Sequence, residues 1–175
     1  MLRRAGARVT LVDAWGPGHA RASSCGETRV IRGTYGERAI YTTMAARAMQ
    51  LWSAQDSRWP QTCFHRTGAI WLFGSDASFG EASIEPMRAA GLPVEWLDVD
   101  AAQVRWPHIA FAGVSRVLWE PEAGYALARR SCEYVVEALV AEGGTYRVGS
   151  VSAVRADGSP LREIVLDDGQ AIAEA

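Results

Sequence analysis

A short apolar strand that ends in a single acid constrains the fold of this chain more than any other feature. The strand is residues 9–12, Val-Thr-Leu-Val, and Asp13 follows it directly. Before it, residues 2–6 resemble the last turn of a helix, with two arginines near its end and a glycine cap. The order of helix end, glycine, strand and acid predicts the second half of a βαβ unit, in which such an acid holds a ribose.

The first half of that unit, a strand with its glycine-rich turn, is missing from the sequence. Residues 16–21, Gly-Pro-Gly-His-Ala-Arg, do not replace it, because they contain a proline, lack a third glycine and follow the strand that already ends in Asp13. They are typical of a turn-rich connection. Asp13 also has a simpler interpretation, the capping of a turn, but the helix end before it favours ribose binding.

Charge and cysteine content limit the partners and the compartment. With a net charge of −2, the chain has no electrostatic reason to bind nucleic acid or an anionic membrane. Its three cysteines are widely spaced and odd in number, which indicates reduced thiols, and no cysteine or histidine spacing predicts a metal site. No segment is long and apolar enough for a signal peptide or a membrane span. We therefore expect a cytoplasmic protein whose partners are small molecules.

Hydrophobic periodicity predicts the elements of the rest of the chain. Strands are predicted over residues 66–73, 94–97, 114–119, 145–154 and 163–166, with hairpin turns at 157–160 and 168–169. Helices are predicted from residue 38 to near residues 58–60, over 81–90 and over 127–142, with a small helix that begins at Asp100 and carries Gln103 at the capping-box position. The expected buried positions of the two longest helices are Ile40, Met44, Ala48, Leu51 and Trp52 in the first and Val135, Val136, Leu139 and Val140 in the last.

Several short motifs resemble one family, the FAD-dependent amine and amino-acid oxidases. They are residues 6–13, the run Ser-Ser-Cys-Gly-Glu-Thr-Arg-Val-Ile-Arg at 23–32, Tyr35-Gly36, Arg105-Trp106-Pro107, and Glu-Pro-Glu-Ala-Gly at 120–124. The branch that they resemble most is that of the sarcosine and N-methyltryptophan oxidases. The resemblance extends over the whole chain and implies FAD as the cofactor.

The resemblance also implies the fold class. We expect an α/β fold, with a partial FAD/NAD(P)-binding, Rossmann-like domain into which an antiparallel-sheet substrate domain is inserted. The predicted domains are residues 1–62 for the first part of the FAD-binding domain, 63–125 for part of the substrate domain, and 126–175 for the FAD-binding domain continued. The chain is expected to be truncated at both ends, because the family continues into a second half with a catalytic lysine and a flavin-linking cysteine.

Site residues carry over from the family one by one. Asp13 is expected to bind the adenosine ribose, Arg29 to face the flavin ring with Thr28 beside it, and Arg32 to grip a substrate carboxylate. A planar guanidinium fork suits a carboxylate, and its charge is permanent. Val151 corresponds to a strand whose backbone touches the adenine, although an apolar strand residue is more often part of a core.

Two points weigh against a simple transfer of these roles. The two arginines have an alternative interpretation as ordinary surface ion pairs, for instance with Glu27 or Glu37. Cys25 stands where the sarcosine oxidase pattern often has a histidine, and a thiol does not supply the proton chemistry of an imidazole near neutral pH. Sarcosine itself is therefore a doubtful substrate.

The function implied by the resemblance is oxidation of the C–N bond of a secondary amine or N-methyl amino acid, with molecular oxygen as acceptor. Two alternatives stay open. The chain is a catalytically inactive remnant or a piece of a split protein, without flavin, or it belongs to a glycine or D-amino-acid oxidase or a dehydrogenase of the same fold.

Overall fold

The computed structural model describes residues 2–152 and 163–173, which fall into two compact units. The first, here called the terminal unit, comprises Met1–Glu27 and Ala128–Ala175. The second, the central unit, comprises Thr28–Leu127. The predicted domain boundaries after residues 62 and 125 stay a prediction.

Ten strands and four helices are formed by the described residues. The strands are β1 Thr10–Asp13, β2 Thr28–Ile31, β3 Phe64–His65, β4 Ala69–Phe73, β5 Glu95–Leu97, β6 Arg116–Glu120, β7 Gly124–Leu127, β8 Thr145–Val148, β9 Glu163–Val165 and β10 Ala171–Ala173. The helices are α1 Ala39–Asp56, α2 Ser78–Ala89, α3 Val99–Arg105 and α4 Ala128–Ala141.

The terminal unit contains one pair of parallel strands. Strand β1 pairs with β8, and Asp13 lies opposite Val148 at the carboxyl end of both strands. The predicted helix end is present as one 3₁₀ turn, Arg3–Ala5, and Gly6 caps it with a φ of 90°. The α/β fold class is therefore confirmed, with α4 and β8 supplying the next helix and strand of the unit.

The tail differs from the predicted meander. Strand β8 ends at Val148, and Val151 forms only an isolated antiparallel bridge with Leu166. Strands β9 and β10 form an antiparallel pair, which confirms the predicted hairpin turn at 168–169. The predicted turn at 157–160, and the end of the strand predicted over 145–154, lie outside the described residues.

The central unit has two antiparallel three-stranded sheets, in the orders β2-β7-β3 and β4-β6-β5. The strand predicted over residues 66–73 is confirmed for its second part, since β4 begins at Ala69, and β3 before it belongs to the other sheet. The chain turns between them at Gly68, whose φ is +76°. A Cβ at this position would lie 1.6 Å from the ring of Trp119, so that only glycine allows the indole to pack here.

Three strands of the central unit, β2, β3 and β7, are absent from the prediction. Strands β2 and β7 pair with each other, with Thr28 opposite Leu127. Three of the four residues of β2 are exposed, so it lacks the apolar alternation that marks a half-buried strand. Its pairing with a segment about a hundred residues further on leaves no local signal.

Helix α1 buries a face that overlaps the predicted one only in part, since Ala48 and Trp52 are partly buried and Trp52 packs against the buried cluster. Ile40, Met44 and Leu51 are exposed, whereas the buried positions are Thr42, Ala45, Ala46 and Met49. The Thr42 hydroxyl donates to the carbonyl of Gly33 at 3.0 Å, which turns this face inward. Small alanine side chains then let the helix approach its neighbours closely. The packed cluster on this side is Ala46, Met49, Phe64, Met87 and Leu92.

Helix α4 was predicted with nearly correct bounds but with too many buried residues. Val135 and Val140 are exposed, and Val136 and Leu139 are partly buried. The buried face consists instead of Ala128, Ser131 and Tyr134. In residues 2–152 and 163–173, no helix combines the length and the apolar character needed to cross a membrane.

Helix α3 begins before the predicted start at Asp100, and its N-cap is Asp98. The Asp98 carboxylate accepts a hydrogen bond of 2.8 Å from the backbone N–H of Ala101. We expect Asp98→Ala to lower the free energy of unfolding of the central unit by about 1 kcal/mol, because one N–H of the first turn loses its acceptor. Urea unfolding of the purified protein measures this loss.

Asp100 is the matched control, since it lies in the first turn of the same helix without capping it. Asp100→Ala should cost only the interaction with the helix dipole, about 0.3 kcal/mol. An equal loss in the two variants would contradict the assignment of Asp98 as the cap.

Candidate functional site

Asp13 is the first residue of interest, and one of its two carboxylate oxygens already accepts hydrogen bonds. Its Oδ1 atom accepts hydrogen bonds from the backbone N–H groups of Trp15 at 3.0 Å and Gly16 at 3.3 Å. No group of the residues that the structure describes donates to Oδ2. Asp13 therefore caps the turn after β1, as the simpler interpretation has it, and still presents one acceptor at the carboxyl end of a parallel strand.

A tyrosine hydroxyl lies near this carboxylate without a partner. Tyr146 on β8 has a buried hydroxyl that forms no hydrogen bond, and a Cβ on Gly16 would lie 3.9 Å from it. Burial, with the negative charge of Asp13 as the second cause, raises the pKa of Tyr146. Buried hydroxyl groups without partners are uncommon in folded proteins, so this one marks a polar position beside the turn that follows β1.

Other residues predicted for the flavin are exposed. Thr28 and Arg29 lie on β2, and the Arg29 Nη1 atom donates to the carbonyl of Thr28 at 2.9 Å. Val151 is also exposed and pairs with Leu166. Cys25 is half-buried, and its carbonyl accepts a hydrogen bond from Arg129 at 2.8 Å. The contacts of Thr28 and Arg29 to the flavin ring and of Val151 to the adenine stay predictions.

Arg32 has surroundings quite different from those of Arg29. It lies one residue beyond β2 and is half-buried, with its guanidinium carbon 4.7 Å from the ring centre of Tyr35 and 4.8 Å from that of Trp71. Its Nη1 atom donates to the carbonyl of Thr34. Two aromatic rings and a carbonyl thus restrict the orientation of this guanidinium, and cation–π contacts of this kind are individually favourable.

The alternative interpretation of Arg32 as a surface ion pair does not hold. Within residues 2–152 and 163–173, no carboxylate lies at ion-pair distance from Arg32, and no acceptor bonds its Nε or Nη2 atom. Glu27, one of the two suggested partners, lies 3.8 Å from Arg129 instead. Arg32 therefore keeps one edge of its fork of donors for a ligand.

The carboxyl group of Glu120 is buried and bonds the indole of Trp71. Glu120 ends β6 and is only 2% exposed. Oε1 accepts from the indole Nε1–H of Trp71 at 2.6 Å and from the hydroxyl of Thr34, and Oε2 accepts from the backbone N–H of Gly33 at 2.6 Å. All three partners are donors, so a carboxylate satisfies each of them.

The backbone at Gly33 allows this arrangement. A Cβ there would lie 2.4 Å from Leu92 Cδ1, because the leucine occupies the space beside the chain. Without a side chain, residue 33 brings its N–H to the carboxyl group while Leu92 covers it from the other side. A larger residue would separate the donor from Glu120 or displace Leu92.

Sequence reasoning did not assign a role to Glu120 or to its partners. Tyr35 and Glu120 enter the sequence analysis only as parts of motifs, and Trp71 only as part of a predicted strand. One signal was available, because Leu118 and Glu120 are two residues apart on a strand and must share a face. An acid on the same face as a buried leucine needs donors, and that requirement points to a built polar cluster.

Comparison with known proteins places the chain in a family. A family model described as FAD dependent oxidoreductase matches residues 1–174. The chain belongs to the FAD-dependent oxidoreductase family. Monomeric sarcosine oxidase of Bacillus sp. (strain B-0618) is 32% identical over 125 residues, which cover 70% of this chain and 32% of that protein. The resemblance noted in the sequence is thereby confirmed.

Other proteins similar to this chain agree with the family assignment. N-methyl-L-tryptophan oxidase of Salmonella arizonae is 34% identical over 122 residues, covering 70% of this chain and 33% of that protein. The chain thus spans about a third of the length of the curated relatives it matches. Among solved structures, glycine oxidase from Geobacillus kaustophilus matches 98% of this chain and 48% of its own, with a TM-score of 0.79 and 21% identity. That similarity shows a shared fold.

Proposed function

We propose that this chain supplies part of the FAD and substrate sites of an oxidase that acts on the C–N bond of a secondary amine or N-methyl amino acid. The observation that carries the proposal is the guanidinium of Arg32, oriented by Tyr35, Trp71 and Thr34 and left with one edge for an anionic group. Two relatives in the family are named for such substrates, sarcosine and N-methyl-L-tryptophan.

Arg32 binds the substrate carboxylate in this proposal. A carboxylate that lies in the plane of the guanidinium accepts two parallel charge-assisted hydrogen bonds from Nε and Nη2. Because the rings of Tyr35 and Trp71 already restrict the guanidinium, little side-chain entropy is lost when the substrate binds. Substrates with a carboxylate are therefore held in a defined orientation.

The residues present fit one part of FAD, the adenosine ribose. Asp13 lies at the carboxyl end of a parallel strand and has an oxygen, Oδ2, that no described residue bonds, which is the chemistry that ribose hydroxyl groups require. Asp13 would hold that sugar, Val151 would lie against the adenine, and Arg29 with Thr28 would lie beside the flavin ring. When bound, FAD supplies the redox chemistry, taking hydride from the substrate carbon and passing the electrons to molecular oxygen.

The substrate side of the reaction follows from the C–N bond. The substrate loses a hydride from carbon and a proton from nitrogen, and water then hydrolyses the resulting imine to an amine and a carbonyl compound. Molecular oxygen accepts the two electrons and two protons and becomes hydrogen peroxide. Arg32 holds the carboxylate in place throughout, because its charge does not change.

The proposal for Asp13 is tested by titrating the purified protein with FAD and following flavin fluorescence. Asp13→Asn keeps the size of the side chain and its turn-capping oxygen but removes the charged acceptor. We expect it to weaken FAD binding about tenfold, the loss of one hydrogen bond to a charged group.

Asp168→Asn is the matched control, since Asp168 also accepts from a backbone N–H two residues ahead, that of Gln170 at 2.9 Å. It should leave FAD affinity unchanged. An equal loss in both variants would refute the ribose role of Asp13. A protein that takes up no FAD at all would instead support the inactive-remnant interpretation.

The compartment and the remaining partners are also part of the proposal. A cytoplasmic location is supported by Cys25, Cys63 and Cys132, which form no disulfide among the described residues. The net charge of −2 provides no attraction for nucleic acid or an anionic membrane, so small molecules and oxygen are the proposed partners.

A further inference from the structure

We propose that Glu120 is the positioning residue of the Arg32 anion site. Glu120 does not approach Arg32 at ion-pair distance, and it acts through two residues that do touch Arg32. These are Trp71, whose ring lies under the guanidinium, and Thr34, whose carbonyl accepts from it. The inference rests on the proposed function of Arg32 and deepens it.

The first connection runs through the indole of Trp71. An aromatic ring on a half-buried strand can rotate about its side-chain bonds, and its contact with Arg32 depends on which way the ring is turned. The bond of 2.6 Å from Nε1–H to Glu120 Oε1 fixes that rotation. The ring face 4.8 Å from the Arg32 guanidinium carbon is therefore held in place by the carboxyl group.

The second connection runs through the backbone at Gly33 and Thr34. Glu120 accepts from the N–H of Gly33 and from the hydroxyl of Thr34, so two adjacent residues are bonded to the same carboxyl group. Thr34 is fully buried, and its carbonyl is the acceptor for Arg32 Nη1. Fixing the segment 33–34 thereby fixes the position of the only backbone acceptor that the described residues offer to Arg32.

An acid is required at this position because each partner donates. The amide of glutamine has one oxygen and one NH₂ group, so that a glutamine at 120 would face at least one N–H with another donor. If its NH₂ group replaced Oε1, it would point at Trp71 Nε1–H. If it replaced Oε2, it would point at the N–H of Gly33. Either placement releases one of the two connections to Arg32.

The test measures carboxylate binding at Arg32 directly, without flavin or turnover. The Arg Nε–H resonances of the full chain, labelled with ¹⁵N, are followed by NMR while acetate is added at constant ionic strength. Acetamide, which has the same shape and no charge, is the ligand control. The Arg32 resonance is assigned from its loss in Arg32→Lys. In the unaltered protein, acetate should shift this resonance saturably and acetamide should not.

Glu120→Gln is expected to weaken acetate binding about tenfold and to broaden or move the Arg32 resonance before any ligand is added. Glu122→Gln is the matched control. It lies two residues away on the same segment and forms an exposed ion pair with Arg66 at 3.0 Å. Acetate affinity in this control should stay within about twofold of that of the unaltered protein.

Trp71→Phe tests the connection through the indole without changing Glu120. It keeps a smaller aromatic ring near Arg32 and removes the indole N–H that bonds the carboxyl group, together with part of the ring. It should weaken acetate binding about fivefold.

The outcomes separate the proposed anion site at Arg32 from the positioning role of Glu120. If acetate and acetamide behave alike in the unaltered protein, Arg32 is not an anion site, and the proposed function fails along with this inference. If acetate binds selectively but Glu120→Gln or Trp71→Phe leaves its affinity unchanged, the positioning role of Glu120 is refuted and the anion site stands.

Discussion

Replacing Arg32 with alanine is expected to raise the Michaelis constant for an N-methyl amino acid about 100-fold in the active protein. The substrate carboxylate would lose two charge-assisted hydrogen bonds, and bonds to charged groups are each worth about 1.5–3 kcal/mol. The Michaelis constant for a plain secondary amine without a carboxylate should change less than about threefold, since that substrate makes no such bonds. Steady-state kinetics with the two substrate classes measure the difference.

Arg32→Lys separates charge from geometry in the same assay. Lysine keeps the positive charge but lacks the planar fork, so the loss for the carboxylated substrate should be about tenfold. Equal effects of Arg32→Ala on the two substrate classes would contradict the anchoring role. So would a lysine variant as active as the original protein, because the proposal depends on a fork oriented by Tyr35 and Trp71.

Glu120→Ala is expected to lower the free energy of unfolding of the central unit by about 3–5 kcal/mol. The change leaves Gly33 N–H, the Thr34 hydroxyl and the Trp71 indole without their common acceptor, and each unsatisfied buried donor costs about 1–3 kcal/mol. The full sum is not reached, because water can enter the space that the side chain leaves. Urea unfolding, followed by tryptophan fluorescence, measures the change.

The control is Glu122→Ala, two residues further along the chain. Its exposed ion pair with Arg66 should contribute less than about 0.5 kcal/mol. A loss in Glu120→Ala as small as in the control would show that the three donors find other partners, and that the carboxyl group is not the centre of this cluster.

The features that the sequence predicted correctly are local ones. The strand that ends in Asp13 and the helix end before it depend on residues that are neighbours in the chain, and the structure has both. The family was also predictable, because the run at residues 23–32 and the motif at 120–124 are contiguous. Such features need no knowledge of which segments meet in space.

The features that the sequence could not predict depend on contacts between residues that are far apart in the chain. The three donors to Glu120 are 87, 86 and 49 residues away from it in the sequence, so no window around residue 120 contains them. The buried face of α1 is set by the bond from Thr42 to Gly33 and by packing on α2 and β3, and apolar periodicity selected a partly exposed face instead. Periodicity reports which residues are apolar, but the partners decide which of them are covered.

The unequal exposure of the three thiols gives the experimenter a reporter that needs no mutagenesis. Cys63 in the central unit is completely buried, whereas Cys25 and Cys132 in the terminal unit are partly exposed. A maleimide dye added to the native protein therefore attaches to the terminal unit alone, since alkylation needs an accessible sulfur. Labelling of Cys63 would then report the opening of the central unit, and its rate would time that event separately from any change near Asp13.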